Sequence, residues 1–208
     1  MTFVRKKANT TPIVDTVFAI VDKAKKDKAE NGSDNVIDAT IGSLYGEDEK
    51  LVALDEVFNH YDIIDHRVKA AYASSFTGNP DYREAVYNWV TGGSDLKLEH
   101  SVIATPGGSG ADFMAITSCL DAGETLLLPD VAWGSYKLMA SEYNINTLEY
   151  KMFDGDHFNL NSVKEKVNEI LQIQDRVVMV INDPCHNPTG YSLSYEEWQE
   201  LVSYINEV

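Results

Sequence analysis

The feature that most constrains the fold is a regular alternation of short apolar runs and helix-length segments after residue 100. Strands that alternate with helices form βαβ units, whose crossovers are right-handed and whose strands pair in parallel. The sequence therefore predicts an α/β fold with a mainly parallel sheet flanked by helices. The last run is continuously apolar, which is typical of a strand buried on both faces. The predicted strands cover residues 101–104, 125–128, 147–150 and 176–181, with helices over residues 111–120, 134–143 and 161–172.

The first hundred residues carry a less regular pattern. Apolar residues recur at helical spacing after Pro12, and Gly32 ends that predicted helix. Residues 35–41 are predicted to form a short strand. A second helix is predicted between Pro80 and Gly92. Its apolar face is expected to point inward and consists of Tyr82, Ala85, Val86 and Trp89.

The charge of the chain limits its partners. It has 17 Lys and Arg residues against 33 Asp and Glu residues, a formal net charge of −16. Such an acidic surface repels phosphate backbones and anionic lipids, so we expect neither a nucleic acid nor a membrane as partner. No apolar run approaches the roughly 20 residues that a membrane-spanning helix needs. Two cysteines, Cys119 and Cys185, do not make a disulfide scaffold, so we expect free thiols in a reducing, cytoplasmic compartment.

A glycine-rich loop separates the first of these predicted strands from its helix and reads Pro106-Gly107-Gly108-Ser109-Gly110-Ala111. Free amides at a helix N-terminus, glycines that permit close approach and a serine hydroxyl together suit a phosphate. The loop is equally consistent with a tight turn that only packs. A Walker loop would need Gly-Lys-Ser/Thr, and a nucleophile elbow would need glycine in place of Ala111, so neither fits.

The turn after the last predicted strand reads Asn182-Asp183-Pro184-Cys185-His186-Asn187-Pro188-Thr189-Gly190. Its prolines and glycine fix an irregular path that presents the Asn187 amide at the carboxyl edge of the sheet. A single asparagine in such a turn is more often a turn residue than a ligand. Cys185 and His186 suggest a metal site or a thiol protease, but no second Cys/His pair lies at ligand spacing and sequence neighbours point apart. We therefore expect no metal site.

An aromatic residue, Trp133, lies in the loop after the second of these predicted strands, in the sequence Trp133-Gly134-Ser135-Tyr136. Taken alone, it is most simply interpreted as a core residue. Three loops at the carboxyl ends of strands nevertheless combine a candidate phosphate site, a flat aromatic ring and a fixed amide. A planar ring that carries a phosphate would use all three.

These segments resemble those of the fold-type I pyridoxal-phosphate enzymes, in particular class I/II aminotransferases near the aspartate and aromatic ones. The match runs in order from about residue 37 to residue 208. The family's most specific signature is matched by His186-Asn187-Pro188-Thr189-Gly190, and its phosphate loop by Gly107-Gly108-Ser109-Gly110-Ala111. Its ring-stacking aromatic is matched by Trp133-Gly134, and its substrate-contacting small-domain segment by Ile41-Gly42. The tyrosine that reaches the partner subunit's cofactor phosphate is matched by Tyr72.

The resemblance implies a role for each matched position. Gly108, Ser109 and Gly110 would hold the phosphate of pyridoxal 5′-phosphate, through the amides of Gly108 and Ser109 and the Ser109 hydroxyl. Trp133 would stack on the pyridine ring, and Asn187 would donate to its phenolic oxygen. Tyr72 would reach the phosphate from the partner subunit. The implied substrate-binding residues are Gly42, Trp133 and Asn187.

Two departures from the family pattern accompany these roles. Gly107 replaces a hydroxyl residue, which removes one possible phosphate contact. The gap from Tyr72 to Gly78 is one residue longer than the commonest pattern.

The resemblance also implies the organisation of the parent enzyme. Residues 1–55 correspond to an N-terminal arm and small-domain segment, and residues 56–208 to the N-terminal half of the large cofactor-binding domain. The parent is expected to be a homodimer whose substrates are an amino acid and a 2-oxo acid.

Groups essential to this chemistry are expected beyond the end of the chain. In the family the Schiff-base lysine, the carboxylate beside the pyridine nitrogen and the substrate-clamping arginine all follow the Asn-Pro-Thr-Gly segment. This chain ends at Val208, after a helix that opens with a Ser194–Glu197 capping box and leads into no strand. We therefore expect an N-terminal part of a longer protein, inactive alone and with weak or no cofactor binding. The lysines beyond the phosphate loop are interpreted as surface residues: Lys137, Lys151, Lys164 and Lys166.

Two alternatives stay open at this point. A lyase or decarboxylase of the same fold would use the same three loops. A non-catalytic binding module that has lost its catalytic half would retain them without the chemistry. A continuing reading frame with Ser-x-x-Lys and a later arginine would favour an aminotransferase over the binding module.

Overall fold

The computed structural model describes residue 3 and residues 16–48, 50–94 and 99–208. The chain divides into two compact units, residues 1–74 and residues 75–208. Pro12, where the first helix was expected to begin, lies outside the described residues. The expected boundary between residues 55 and 56 concerns the domains of the parent enzyme and stays a prediction.

The first unit is helical in its described residues. Its helices are α1 (Thr16–Asn31), α2 (Asp55–Ile63) and α3 (His66–Lys69). Gly32 follows α1 with φ 87°, a left-handed conformation that glycine adopts readily, so the predicted end of this helix is confirmed. The strand predicted over residues 35–41 is wrong. Those residues follow a 3₁₀ turn, and Ile37 is 98% exposed, because an apolar run forms a strand only where another strand pairs with it.

The second unit contains a parallel sheet with the strand order β2-β1-β5 and a small antiparallel hairpin, β3-β4. This confirms the predicted α/β fold with helices flanking parallel strands. Its elements are α4 (Pro80–Val90), α5 (Gly107–Cys119), β1 (Thr125–Pro129), α6 (Ser135–Glu142), β2 (Asn146–Tyr150), β3 (Phe153–Asp154), β4 (His157–Phe158), α7 (Leu160–Leu171), β5 (Val178–Met179) and α8 (Tyr195–Glu207).

The central strand β1 organises the core. Successive strand residues point to opposite faces, and Leu126, Leu127 and Leu128 are all fully buried. Leu127 packs in a cluster with α7 and α8, whereas Leu126 and Leu128 pack in a second cluster with α5 and α6. The sheet is therefore covered on both faces at β1, which explains why this strand is apolar at consecutive positions.

One further strand prediction is wrong, and another is confirmed only in part. Residues 101–104 form no strand, and Ala104 is held by a hydrogen bond from its N–H to the Thr77 carbonyl oxygen at 2.9 Å. Within the run over residues 176–181, the strand covers Val178 and Met179, and the Val180 N–H donates to the Leu127 carbonyl oxygen at 3.1 Å. Residues 177–181 are half-buried rather than covered on both faces. β5 is the outer strand in the described sheet, and an apolar sequence does not reveal whether a further strand lies beside it.

The inward face predicted for α4 is also wrong. Trp89 is 87% exposed and Tyr82 is 52% exposed, while Val86 is half-buried. The helical spacing predicted the helix correctly, but it did not predict which of its side chains are buried by other segments. Among the described residues, no helix is both long and apolar enough to cross a membrane.

Candidate functional site

Two loops leave the sheet at the edge near which the N-terminus of α5 is expected to lie. β1 and β5 are parallel neighbours, so the loop after Pro129 and the turn after Ile181 both begin at their carboxyl ends. α5 packs on β1 through Ile116 and leads into it by a short reversal, so the helix runs antiparallel to the strand. Because a helix of 13 residues and a strand of five have comparable lengths, the N-terminus of α5 lies near the same edge.

The N-terminus of α5 carries amides without a cap. Gly107 has φ 72° and donates its N–H to the Thr105 carbonyl oxygen at 2.8 Å, while the Thr105 hydroxyl donates to the Gly107 carbonyl oxygen at 2.9 Å. The N-cap residue Pro106 supplies no side-chain hydrogen bond, and no acidic residue lies in the first turn. The amides of Gly108 and Ser109 therefore lack an intrahelical acceptor. They lie at the N-terminal end of the helix, where the helix dipole favours an anion.

The glycines of this loop differ in whether the structure leaves room for a side chain. A Cβ at Gly110 would lie 2.7 Å from the Pro106 Cδ atom, so packing excludes a side chain there. A Cβ at Gly108 would meet no heavy atom of a described residue within 4 Å. Gly108 thus has room for a side chain, and the exposed Ser109 hydroxyl makes no hydrogen bond with a described residue.

Trp133 lies half-buried near the end of the β1–α6 connection, two residues before α6 begins. Its ring meets the Tyr136 ring edge-on, with centroids 5.4 Å apart and planes at 90°, and it packs against the α5–α6 core cluster. Burial, followed by the nearby Asp112 carboxylate, raises the pKa of Tyr136, so its hydroxyl stays neutral. The tryptophan is therefore held from one side and retains accessible surface.

Asp130 ties the carboxyl ends of β1 and β2 together, a role that the sequence analysis missed. Its Oδ1 accepts from the Met152 N–H and its Oδ2 from the Lys151 Nζ, both at 2.9 Å. Burial acts to raise the pKa of Asp130, but these hydrogen bonds outweigh it and the net pKa is lowered. The available signal was an aspartate directly after a buried apolar strand.

The four lysines beyond the phosphate loop each have a partner elsewhere, as expected for surface residues. The hydrogen bond to Asp130 raises the pKa of Lys151, which keeps its amine protonated and a poor nucleophile. The other three contacts are Lys137 with Glu149, Lys164 over the Tyr204 ring, and Lys166 with Glu165 and Glu169.

The turn after β5 is closed by hydrogen bonds across its base. Cys185 has a left-handed φ of 57°, and its N–H donates to the Ser192 Oγ at 2.9 Å. The His186 N–H donates to the Tyr191 carbonyl oxygen at 2.8 Å. At the tip, the Asn187 N–H donates to the Asn182 Oδ1 at 2.7 Å. The Asn187 side chain is exposed and makes no hydrogen bond with the residues that the structure describes.

His186 belongs to the interior of this turn. It is 2% exposed, and its Nδ1 lies 2.8 Å from the Thr189 hydroxyl. Burial lowers the pKa of His186, so the ring is neutral near pH 7. The Cys185 thiol is exposed and free, as is that of Cys119, so the prediction of free thiols is confirmed. The histidine thus supports the turn through Thr189.

The start of α8 anchors the turn to the core. Asp183 accepts from the Leu193 N–H at 2.8 Å and from the Trp198 indole N–H at 3.1 Å. The predicted capping box between Ser194 and Glu197 is confirmed. Sequence reasoning found that box but not Asp183, because the bonds of Asp183 reach ten and fifteen residues along the chain.

Comparison with known proteins identifies the family. The model of the family "Aminotransferase class I and II" matches residues 34–208. The chain belongs to this family. A curated aspartate aminotransferase of Musicola paradisiaca is 22% identical over 192 residues, which cover 91% of this chain and 45% of that protein. A curated aromatic-amino-acid aminotransferase of Pseudomonas aeruginosa is 29% identical over 117 residues, which cover 54% of this chain and 29% of that protein.

The solved structures agree with this membership in the aminotransferase family. The crystal structure of an aminotransferase from Anaerococcus prevotii matches with a TM-score of 0.90 and 37% identity. The match covers 100% of this chain and 51% of that chain. The chain thus spans about half the length of that relative, and less than half of the two curated relatives named above.

The two remaining predicted site residues of this aminotransferase-family chain lie in the first unit. Gly42 is exposed, and a Cβ there would meet no heavy atom within 4 Å in the part of the chain that the structure describes. Tyr72 is 96% exposed. Gly108, Ser109, Gly110, Trp133 and Asn187 all lie in the second unit. The roles of all seven residues stay predictions.

Proposed function

We propose that this chain provides the cofactor cradle of a pyridoxal 5′-phosphate-dependent aminotransferase. The parent enzyme would move an amino group from an amino acid to a 2-oxo acid. The observation that supports the proposal is a set of donors, on segments near the carboxyl edge of the sheet, that have no partner among the described residues. These are the Gly108 and Ser109 amides and the Asn187 side chain.

The phosphate fits the N-terminus of α5. The Gly108 and Ser109 amides lack intrahelical acceptors, and no described residue crowds the position that a Gly108 side chain would take. The Ser109 hydroxyl adds a third donor. The positive end of the α5 dipole favours a dianionic phosphate at this position over any neutral group.

The ring would lie between the tryptophan and the turn. Trp133 would cover one face of the pyridine and exclude water from it, while the Asn187 amide would donate to the phenolic oxygen. When bound, the cofactor supplies a ring that accepts electrons from the substrate carbon. The chain's own part is to hold, orient and desolvate that ring.

We propose that the covalent lysine lies outside the 208 residues of this chain. The relatives are about twice as long, and the four lysines after the phosphate loop are all engaged elsewhere. Charge-assisted bonds of about 1.5–3 kcal/mol each must offset an association cost of roughly 4–15 kcal/mol. We therefore expect the 208-residue chain to bind the cofactor weakly and without transamination.

We also propose a homodimeric parent enzyme in the cytoplasm. The family resemblance supports the dimer, since Tyr72 matches a residue that reaches a partner subunit's phosphate. The two free thiols of Cys119 and Cys185 support a reducing compartment.

The phosphate site is tested by nuclear magnetic resonance titration of the chain with pyridoxal phosphate at millimolar concentration. We expect shifts at the amides of Gly108 and Ser109, and none of comparable size with unphosphorylated pyridoxal. Ser109→Ala should weaken the binding, whereas Ser118→Ala on the same helix should not. Equal shifts with both ligands, or shifts confined to other residues, would contradict the proposal.

The ring contact is tested by the quenching of tryptophan fluorescence. Pyridoxal phosphate should quench Trp133, so Trp133→Leu should remove most of the quenching. Trp89→Leu, at a site that is 87% exposed, serves as the matched control and should retain it. Equal quenching in the two variants would place the ring elsewhere. Tight, saturable binding at low micromolar concentration would show that the site holds the cofactor without a covalent link.

A further inference from the structure

We propose that Asn182 is a positioning residue that fixes Asn187 at the cofactor edge. The inference rests on the proposed contact between the Asn187 side chain and the cofactor. It assigns to Asn182 the task of orienting that side chain through the backbone, without any contact between Asn182 and the cofactor.

The decisive contact spans the turn. The Asn182 Oδ1 accepts the Asn187 N–H at 2.7 Å, a short bond between residues five positions apart. Asn182 is half-buried and follows the sheet strand β5 closely, so its side chain is attached to a rigid element. Asn187 is exposed and precedes Pro188, which has no N–H to donate. The Asn182 bond is therefore the hydrogen bond that holds the Asn187 backbone among the described residues.

The base of the turn does not depend on Asn182. Cys185 is held by the Ser192 Oγ, and the His186 N–H and carbonyl oxygen bond to Tyr191 and Gly190. Asp183 secures the far side through the Leu193 N–H and the Trp198 indole. Loss of the Asn182 acceptor should thus release the tip of the turn while its base stays folded.

This division makes a clean comparison of two single hydrogen bonds. Asn182→Ala removes the acceptor of the Asn187 N–H. Ser192→Ala removes the acceptor of the Cys185 N–H in the same turn and leaves Asn187 untouched. Asn182→Asp retains an acceptor oxygen of the same reach and serves as the rescue variant.

The first measurement is hydrogen exchange of individual amides in the 208-residue chain, which needs no cofactor. In Asn182→Ala the Asn187 amide should exchange about 3- to 10-fold faster, the range that corresponds to one hydrogen bond. Asn182→Asp should restore its protection, and Ser192→Ala should accelerate exchange at Cys185 alone. An unchanged Asn187 exchange rate in Asn182→Ala would overturn the proposal.

The second measurement is the affinity for pyridoxal phosphate. Asn182→Ala should weaken it by about 3- to 10-fold, because an unfixed Asn187 must be ordered on binding. Ser192→Ala should leave it within the scatter of the wild type. Equal losses in both variants would show a general structural effect and overturn the positioning role. If the wild-type chain binds no measurable cofactor, the chain by itself does not form the proposed cradle, and the exchange rate of the Asn187 amide alone decides whether Asn182 holds Asn187.

Discussion

The two compact units use similar apolar residues in different ways. In the second unit the three leucines of β1 are fully buried, with helices on both faces of the strand. In the first unit Val21 is the buried residue among those whose side chains the structure describes. Phe58 and Ile63 on α2 are 59% and 79% exposed. Apolar composition alone therefore does not produce a core; a strand that two helical layers enclose does.

This contrast indicates where the free energy of folding resides. The leucines of β1 are removed from water and are closely packed, and both effects stabilise the folded state. The exposed aromatic residues on α2 bury little apolar surface, so they contribute little to the free energy of folding. The proposed cofactor loops extend from the part of the molecule with the dense core. Positioning of Trp133 and Asn187 therefore depends on the second unit's own packing.

The largest expected effect is the loss of a core leucine. Leu127→Ala should lower the free energy of unfolding by about 3–5 kcal/mol, because it leaves a cavity between β1, α7 and α8. Phe58→Ala, at a 59% exposed position in the first unit, should lower it by less than about 1 kcal/mol. Urea denaturation followed by circular dichroism measures both. Comparable losses would show that the two units are equally packed.

The next largest effect on stability is expected at Glu197, a carboxylate of the second unit that accepts three hydrogen bonds from other residues. Glu197 accepts from the Tyr191 hydroxyl at 2.7 Å, and from the N–H groups of Phe158 and Ser194 at 2.8 Å each. Glu197→Ala should cost about 3 kcal/mol, because these donors are left without an acceptor. Its exposed neighbour provides the control, and Glu196→Ala should cost under about 1 kcal/mol. A loss below that of the control would mean that water replaces the carboxylate.

A smaller effect separates packed from open positions within the glycine loop. Gly110→Ala should destabilise the chain by about 1–3 kcal/mol, because its Cβ would collide with the Pro106 ring. Gly108→Ala should be neutral or slightly stabilising, because its Cβ would enter open space in a helix. Thermal denaturation compares the two variants. The Gly108 variant should nevertheless lose cofactor-induced shifts, because its methyl group would crowd the proposed phosphate position.

The smallest expected effect is on how the stability of the chain depends on pH. Since the folded state lowers the pKa of Asp130, its contribution to stability is present at neutral pH and is lost as the pH falls through the folded pKa. Asp130→Asn should therefore flatten the acid limb of the stability curve below about pH 4. The exposed Asp154 supplies the control variant, Asp154→Asn. Urea midpoints from neutral pH to about pH 3 test this, and identical slopes in the wild type and Asp130→Asn would contradict it.

Local chemistry made much of the second unit predictable. The Ser194–Glu197 capping box, the helices and the strands β1 and β2 follow from patterns that span a few residues. The signature around Asn187 likewise placed the chain in its family before any contact was known. The roles of Asp130, Asp183 and Asn182 were not predictable, because their partners are chosen by where the chain returns in space.

Local sequence patterns specify the α/β fold class, the main helices and strands from β1 to α8, and the segments shared with aminotransferases. These depend on periodicity and on short-range turn chemistry, which any stretch of chain carries with it. Only the tertiary structure decided which apolar runs are covered, as the exposed Trp89 and the half-buried edge strand β5 demonstrate. Burial depends on the neighbours that surround a residue, and those neighbours are set by packing between distant segments.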